Sequence, residues 1–145
     1  MARTLDFLGY DEAFVFDPHR MIRERYGKAY SRRLRVVSAG AFERIRWHRV
    51  DDPSALVSGH DGRTIATVAD STAASLYTFC FNPDDLLIFG SEAEGLPRSI
   101  VAAASAAVTI PLQGCTRSLN LAVAASIFLF EASRQLAGQR NRSNR

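Results

Sequence analysis

The chain has 145 residues, of which 47% are hydrophobic and 23% charged, and its formal net charge is +3. This size and mixture are typical of one globular domain and exclude collagen-like, low-complexity and long disordered chains. The longest apolar stretch, residues 119–130, is shorter than the about 20 residues that cross a bilayer, and no apolar signal core follows Met1, so we expect a cytoplasmic protein outside the membrane.

Apolar runs of strand length alternate with helical stretches along the chain. Helices are predicted over residues 2–8, 31–39, 73–79, 97–106 and 118–136. Strands are predicted over residues 12–16, 45–50, 65–69, 86–89 and 108–112. Gly9 is placed to close the first helix in the left-handed conformation. This alternation predicts an α/β fold, a mostly parallel sheet with helices on both faces. We expect one domain over residues 1–137 and a flexible basic tail over residues 138–145.

Positive charge is concentrated in residues 20–49, which hold nine arginines and one lysine against two glutamates. The segment therefore carries a net charge of +8 and the rest of the chain −5. Because arginine pairs bidentately with phosphate and stacks on bases, the segment is a candidate RNA-facing surface, with Arg32 and Arg33 as candidate substrate contacts. A solvated, arginine-rich face explains the same pattern.

The last predicted helix is apolar almost all round as far as Phe130. Such a helix must be covered on several sides. A second copy of the chain could supply one of them, which favours a homodimer, whereas a central core helix explains the same periodicity.

Several familiar site patterns are excluded. Residues 90–95 have the two glycines of a phosphate-binding loop, but Leu96 and Pro97 stand where lysine and serine or threonine are required. The histidines lack cysteine or acidic neighbours at zinc-ligand spacing, so we expect no metal. Cys80 and Cys115 are too few to cross-link a fold of this size and are expected to be reduced thiols.

Two stretches carry the most specific pattern: residues 86–97, LLIFGSEAEGLP, and residues 109–124, TIPLQGCTRSLNLAVA. In order and spacing they resemble the second and third motifs of the SpoU branch of the SPOUT methyltransferases. Residues 130–136 resemble the closing helix of that family, and residues 35–42 a weaker stretch before its second strand. The family's first strand and the Asn-x-x-Gly part of its first motif would precede Arg3, so we expect both to be missing from this sequence.

The resemblance implies a C-terminal deep trefoil knot and methyl transfer from S-adenosylmethionine to a ribose 2′-hydroxyl of tRNA or rRNA. It implies a cofactor site formed by Thr67, Gly90, Ile110, Leu112, Ser118 and Leu119. It further implies catalytic roles for Arg3 and Asn120 and substrate contacts from Glu92 and Arg117.

Physical chemistry narrows some of these roles. Gly90 has no Cβ, so a ligand or a neighbouring loop can approach its backbone closely. Ser91 and Glu94 have the spacing of a capping box, which a helix or turn start explains. A guanidinium is a poor proton acceptor, so Arg3 is better suited to stabilising an alkoxide or orienting a phosphate. Asn120 either orients substrate or supports its loop as a capping amide.

Three functions are compatible with the sequence. The first is an RNA 2′-O-methyltransferase that dimerises through its first and last helices and uses no metal. The second is a non-catalytic RNA-binding relative, which would bind RNA with steep salt dependence and give no heat with the cofactor. The third is a methyltransferase acting on a small metabolite, whose turnover would be indifferent to salt.

Overall fold

The computed structural model describes residues 1–16, 36–116 and 118–143, with only the backbone described for residues 138–143. The chain divides into two compact units, Met1–Pro53 and Ser54–Arg145. The strands of the described residues form two sheets, where the sequence predicts one, and every pairing between strands is parallel. The predicted α/β class with parallel pairing is thus confirmed.

The first unit contains two short helices and two parallel strands. Its described elements are α1 (Ala2–Phe7), β1 (Glu12–Phe16), α2 (Ala41–Arg44) and β2 (Arg46–Val50). Strands β1 and β2 pair with Glu12 opposite Arg46. The predicted closure of α1 is confirmed, because Gly9 has a φ of +80° and its N–H donates to the Asp6 carbonyl while the Tyr10 N–H donates to the Leu5 carbonyl.

Part of the predicted first half lies outside the described residues. The helix predicted over residues 31–39 is described only from residue 36, where residues 36–38 are helical. Most of the basic segment, residues 20–35, also lies outside them.

The second unit contains a four-stranded parallel sheet with the order β4-β6-β3-β5. Its elements are α3 (Pro53–Gly59), which begins at the division, β3 (Thr64–Thr67), β4 (Ala74–Ser75), β5 (Leu86–Ile88), α4 (Arg98–Ala103), β6 (Ala106–Thr109) and α5 (Leu121–Ser143). Ile65 and Ala66 on β3 are fully buried, as is typical of an interior strand of a parallel sheet. Strand β5 lies at the edge of the sheet and is half-buried.

Helix α5 packs one face into the core and exposes another. The core cluster joins Phe128 and Ala132 on this helix to Ile65, Val108 and Phe81 from the sheet and its loops. Val123, Ile127 and Phe130 are exposed. The helix begins three residues after the predicted start and runs to Ser143, so the backbone of the first six residues of the predicted tail is helical.

The elements predicted around β4 and β6 also differ from the structure. The helix over residues 73–79 is wrong, because Ala74 and Ser75 pair with β6 as strand β4 and the Ser75 hydroxyl accepts the Tyr77 N–H, a local bond that competes with a helix. The strand predicted over residues 108–112 is β6, which begins two residues earlier at Ala106, where it pairs with Ile65. Its alanine-rich start resembled a helix end, since alanine favours helices.

Candidate functional site

A pocket of about 290 Å³ lies in the second unit, where strands β3, β5 and β6 end and α5 begins. In a parallel sheet these carboxyl ends share one edge, which is where α/β folds usually bind ligands. The pocket is lined by Thr67, Val68, Ala69, Phe89, Gly90, Ser91, Glu92, Ala93, Gly95, Thr109, Ile110, Leu112, Ser118, Leu119, Leu121, Ala124 and Phe128. Its volume is near the lower end of the range for small-molecule sites, about 300–1,000 Å³.

Aromatic and aliphatic side chains line part of the pocket. The rings of Phe89 and Phe128 meet edge to face with centroids 5.9 Å apart. Phe128 is 2% exposed and belongs to the core cluster, so the core holds this wall in place. Ala124 stands one helical turn before Phe128 and contributes little bulk. Such a wall suits a flat, apolar ring system.

The turn after β5 is fixed by close backbone packing at Gly90. Residues 91–95 fold back so that Ser91 and Gly95 form an antiparallel bridge. A Cβ on Gly90 would overlap the carbonyl carbon of Gly95 and the nitrogen of Leu96. A glycine here allows close approach either of a ligand or of a neighbouring loop, and in the structure it is the neighbouring loop that approaches the Gly90 backbone. The Ser91 hydroxyl accepts the Glu94 N–H at 3.1 Å within this turn, so the capping-box spacing marks a turn here.

The loop after β6 ends at the N-terminus of α5, which Asn120 caps. Its Oδ1 accepts the N–H groups of Ala122 and Val123 at 3.0 and 3.4 Å. Its Nδ2 donates to Oε1 of Glu92 at 2.5 Å, so the loops after β5 and β6 are joined. Both hydrogen-bonding groups of the Asn120 amide therefore have partners within the protein.

The structure brings together all six residues predicted to bind the cofactor. Each of Thr67, Gly90, Ile110, Leu112, Ser118 and Leu119 lines the pocket. Glu92 lines it too, and Asn120 is bonded to Glu92. Their roles toward a ligand remain predictions.

The other predicted residues lie elsewhere. Arg3 is exposed on α1 in the first unit and is not among the pocket-lining residues. Arg32, Arg33 and Arg117 lie outside the described residues.

Sequence reasoning missed the aromatic wall of the pocket. Phe89 precedes Gly90 at a strand end, and Ala124 and Phe128 stand four residues apart on one helix face. That spacing was a signal that both face the same neighbour. Apolar residues in these positions are indistinguishable from ordinary core residues until the loops are placed.

The described arginines of the basic segment are paired with carboxylates of the same unit. Arg44 bonds both carboxylate oxygens of Asp6 at 2.7 Å, and its guanidinium lowers the pKa of Asp6. Arg46 lies 3.0 Å from Asp11, and Arg49 lies 3.2 Å from Asp51. These guanidiniums remain solvent-accessible, so a phosphate would compete with a carboxylate for each of them.

The described residues contain neither a candidate metal-binding cluster nor a candidate membrane-spanning helix. No cluster of three histidine, cysteine or acidic side chains there is suited to holding an ion. None of the helices there has the length and apolar character that a bilayer crossing requires.

Comparison with known proteins identifies relatives over most of the chain. The model of the SpoU rRNA Methylase family matches residues 1–130. The tRNA (cytidine(34)-2′-O)-methyltransferase of Beijerinckia indica is 43% identical over 75 residues, 52% of this chain and 47% of that protein. The tRNA (guanosine(18)-2′-O)-methyltransferase of Escherichia coli K12 is 26% identical over 134 residues, 92% of this chain and 56% of that protein. The chain thus spans about half the length of these curated relatives.

Solved structures of similar fold include a SpoU methyltransferase. One that concerns the 2-OH methylation of C/U34 on tRNA has a TM-score of 0.79 and 31% identity, covering 94% of this chain and 86% of that one. The SpoU methyltransferase AviRb from Streptomyces viridochromogenes, solved in complex with AdoMet, has a TM-score of 0.73 and 26% identity, covering 94% of this chain and 54% of that one. With the family model matching 130 residues, the chain belongs to the SpoU rRNA Methylase family.

Proposed function

We propose that the chain is an S-adenosylmethionine-dependent methyltransferase that modifies ribose 2′-hydroxyls of RNA. The observation that carries this proposal is the pocket at the strand ends, which all six residues predicted to hold the cofactor line together. The names of the relatives support it, since they describe 2′-O-methyltransferases of tRNA and rRNA. AviRb, solved with AdoMet, supports the choice of cofactor.

The pocket's residues fit this cofactor. The apolar side chains of Ile110, Ala124 and Phe128 would pack against the adenine ring. Leu112, Ser118 and Leu119 line the pocket and belong to neither helix nor strand, so their backbone groups would face the polar edge of the base. The Thr67 hydroxyl donates to the Ile88 carbonyl at 2.9 Å, which fixes its oxygen as an acceptor at the pocket wall.

The bound cofactor supplies an electrophilic methyl group on a sulfonium. The chain must hold the ribose hydroxyl in line with that methyl group and assist the loss of the hydroxyl proton. We assign Arg3 to the hydroxyl or to its adjoining phosphate. Because a guanidinium offers a positive charge and several N–H donors, Arg3 would stabilise a developing alkoxide by charge and hydrogen bonding.

The proposed fold includes the deep trefoil knot that the family resemblance implies, and the proposed assembly is a homodimer. Exposed apolar side chains on α5 support the dimer. Val123, Ile127 and Phe130 follow one another at intervals of four and three residues along one helix face, and Phe130 is 59% exposed. A second copy of the chain would bury this stripe.

RNA is the proposed substrate, with the arginines of residues 20–49 and Arg117 as its phosphate contacts. tRNA is the first RNA to test, because a relative and a solved structure with at least 31% identity both concern position 34 of tRNA. The segment's net charge of +8 supports a polyanionic partner.

The test is transfer of a tritiated methyl group from S-adenosylmethionine to unmodified tRNA and rRNA transcripts, followed by nucleoside analysis. A 2′-O-methylated nucleoside is the expected product. Salt-dependent RNA binding without heat from S-adenosylhomocysteine would instead show a non-catalytic relative. Methylation of a small molecule at a rate indifferent to salt would show a metabolite enzyme.

A further inference from the structure

Glu92 has the only ionisable side chain among the described residues that line the pocket. The other lining residues are apolar, glycine, serine or threonine. The described part of the wall thus carries one formal negative charge and no positive one. A small-molecule site with a single charged group commonly uses that group for specificity.

A hydrogen bond holds this carboxylate between the two loops of the pocket. Asn120 Nδ2 donates to Glu92 Oε1 at 2.5 Å, while Asn120 Oδ1 is engaged by the first turn of α5. Ser118 and Leu119, immediately before Asn120, line the pocket. The contact therefore keeps the carboxylate beside the wall formed by the loop after β6.

The Glu92 carboxylate lies near the N-terminus of α5, where its negative charge affects which ligands the pocket favours. The N-terminus of α5 carries a partial positive charge, which favours a nearby anion and opposes a nearby cation. Glu92, held at this helix end through Asn120, places a formal negative charge there. A ligand carrying a positive charge is then favoured over a neutral ligand of the same shape.

We propose that Glu92 is a specificity-determining residue that favours the cationic sulfonium cofactor over its neutral thioether product, with Asn120 as the residue that positions it. This inference rests on the proposed function, since it presumes that the pocket takes S-adenosylmethionine. It assigns Glu92 to the cofactor, where the family resemblance implied the substrate, and it assigns Asn120 to supporting its loop.

The expected effect is modest because Glu92 and Asn120 are both exposed. Exposed charge pairs contribute little and are screened by salt. Removing the charge should therefore weaken binding of the sulfonium about two- to fivefold.

The test is the ratio of dissociation constants for S-adenosylmethionine and S-adenosylhomocysteine, measured by calorimetry on the full chain. Glu92→Gln removes the charge but keeps an oxygen that can accept from Asn120. Asn120→Ser keeps a hydroxyl that caps α5 but removes the donor to Glu92. Glu94→Gln is the matched control, because Glu94 lies in the same turn and is not a lining residue.

In Glu92→Gln we expect the sulfonium to lose about two- to fivefold in affinity, with the melting temperature and the thioether affinity unchanged. Asn120→Ser should shift the ratio in the same direction by less, and Glu94→Gln should leave it unchanged. An unchanged ratio in Glu92→Gln, or an equal shift in Glu94→Gln, would overturn the inference. Failure of the unaltered chain to bind either ligand would overturn the proposed function itself.

Discussion

The two units support their parallel strands by different means. In the first, the two-stranded sheet carries exposed Phe14 and Phe16, and ion pairs such as Arg44 with Asp6 lie at the surface. In the second, the first three residues of β3 are buried and the core cluster joins the sheet to α5. The pocket thus lies in the unit where a core anchors the backbone, whereas the first unit presents charge to solvent.

An arginine–aspartate ion pair in each unit shows the same difference in burial: Arg44 with Asp6 in the first and Arg63 with Asp85 in the second. Arg63 bonds both oxygens of Asp85 at 2.7 and 2.8 Å, donates to the Cys80 carbonyl and lies over the ring of Phe79. The Asp85 side chain is 2% exposed, whereas that of Asp6 is 29% exposed. In the second unit, Arg63 thus holds a loop against the core.

The largest expected effect comes from the core of the second unit. Phe81 is completely buried, so Phe81→Ala should lower the free energy of unfolding by about 3–5 kcal/mol through lost burial and the cavity left behind. Val37→Ala, at an exposed position of the first unit, should change it by at most about 0.5 kcal/mol. Urea denaturation measures both. Because Phe81→Ala could be largely unfolded, Phe81→Leu, with an expected loss below about 1.5 kcal/mol, keeps the comparison measurable. Equal losses of unfolding free energy in Phe81→Ala and Val37→Ala would contradict the difference between the buried core of the second unit and the exposed surface of the first.

Substitution by asparagine should affect stability differently at Gly9 and at Gly90. Gly9 needs a positive φ and has open space around it, so Gly9→Asn should cost little, since asparagine tolerates that conformation. Gly90 has no room for a Cβ, so Gly90→Asn should cost about 1–3 kcal/mol and weaken binding of S-adenosylhomocysteine. Thermal unfolding and calorimetry measure these effects. Normal binding in Gly90→Asn would show that the packed turn does not shape the pocket.

Removing one carboxylate from each unit sharpens the contrast between the ion pairs. Asp85→Ala removes an acceptor of Arg63 and of the Asn82 N–H, so we expect a loss of about 1–3 kcal/mol. Asp6→Ala removes an exposed partner and should have a smaller effect. Chemical denaturation at low and high salt distinguishes the two. If Asp6→Ala were the more destabilising variant, the assignment of roles would be reversed.

The smallest expected effect is a pH dependence of the melting temperature that arises from Glu131 on α5. Hydrogen bonds from Arg134 and Gln135 lower the pKa of Glu131 from 4.5 to about 2. Because the folded pKa lies below the unfolded one, the stabilisation is present above about pH 4.5 and is lost as the pH falls toward about 2. The melting temperature of the unaltered chain should therefore exceed that of Glu131→Gln at pH 6, and the difference should shrink by pH 2. A constant difference across this range would contradict the pKa assignment.

Sequence reasoning located β3, β5 and β6 in the second unit because apolar runs mark them. The family resemblance implied one cofactor site that includes Gly90, Ile110 and Ser118, and these residues do line one pocket, although β3 separates the strands β5 and β6 that carry their loops. The stretch over residues 73–79 failed because pairing with β6, more than 30 residues away, outweighs local helix propensity.

Other features depend on contacts that a linear sequence does not show. Glu92 and Asn120 are 28 residues apart, and their bond exists only because the two loops meet. Phe128 in the pocket wall is chemically an ordinary core residue, so its position became informative only once α5 was packed.

Calorimetric titration with S-adenosylhomocysteine shows directly whether the pocket of the second unit is the cofactor site. Ala124→Phe fills the pocket from α5, and Ala102→Phe places the same ring at an exposed position of α4 outside it. We expect the unaltered chain and Ala102→Phe to bind the ligand, and Ala124→Phe to retain its fold by circular dichroism but lose the binding heat. Unchanged binding in folded Ala124→Phe would contradict the account, because the ligand would then occupy another part of the molecule.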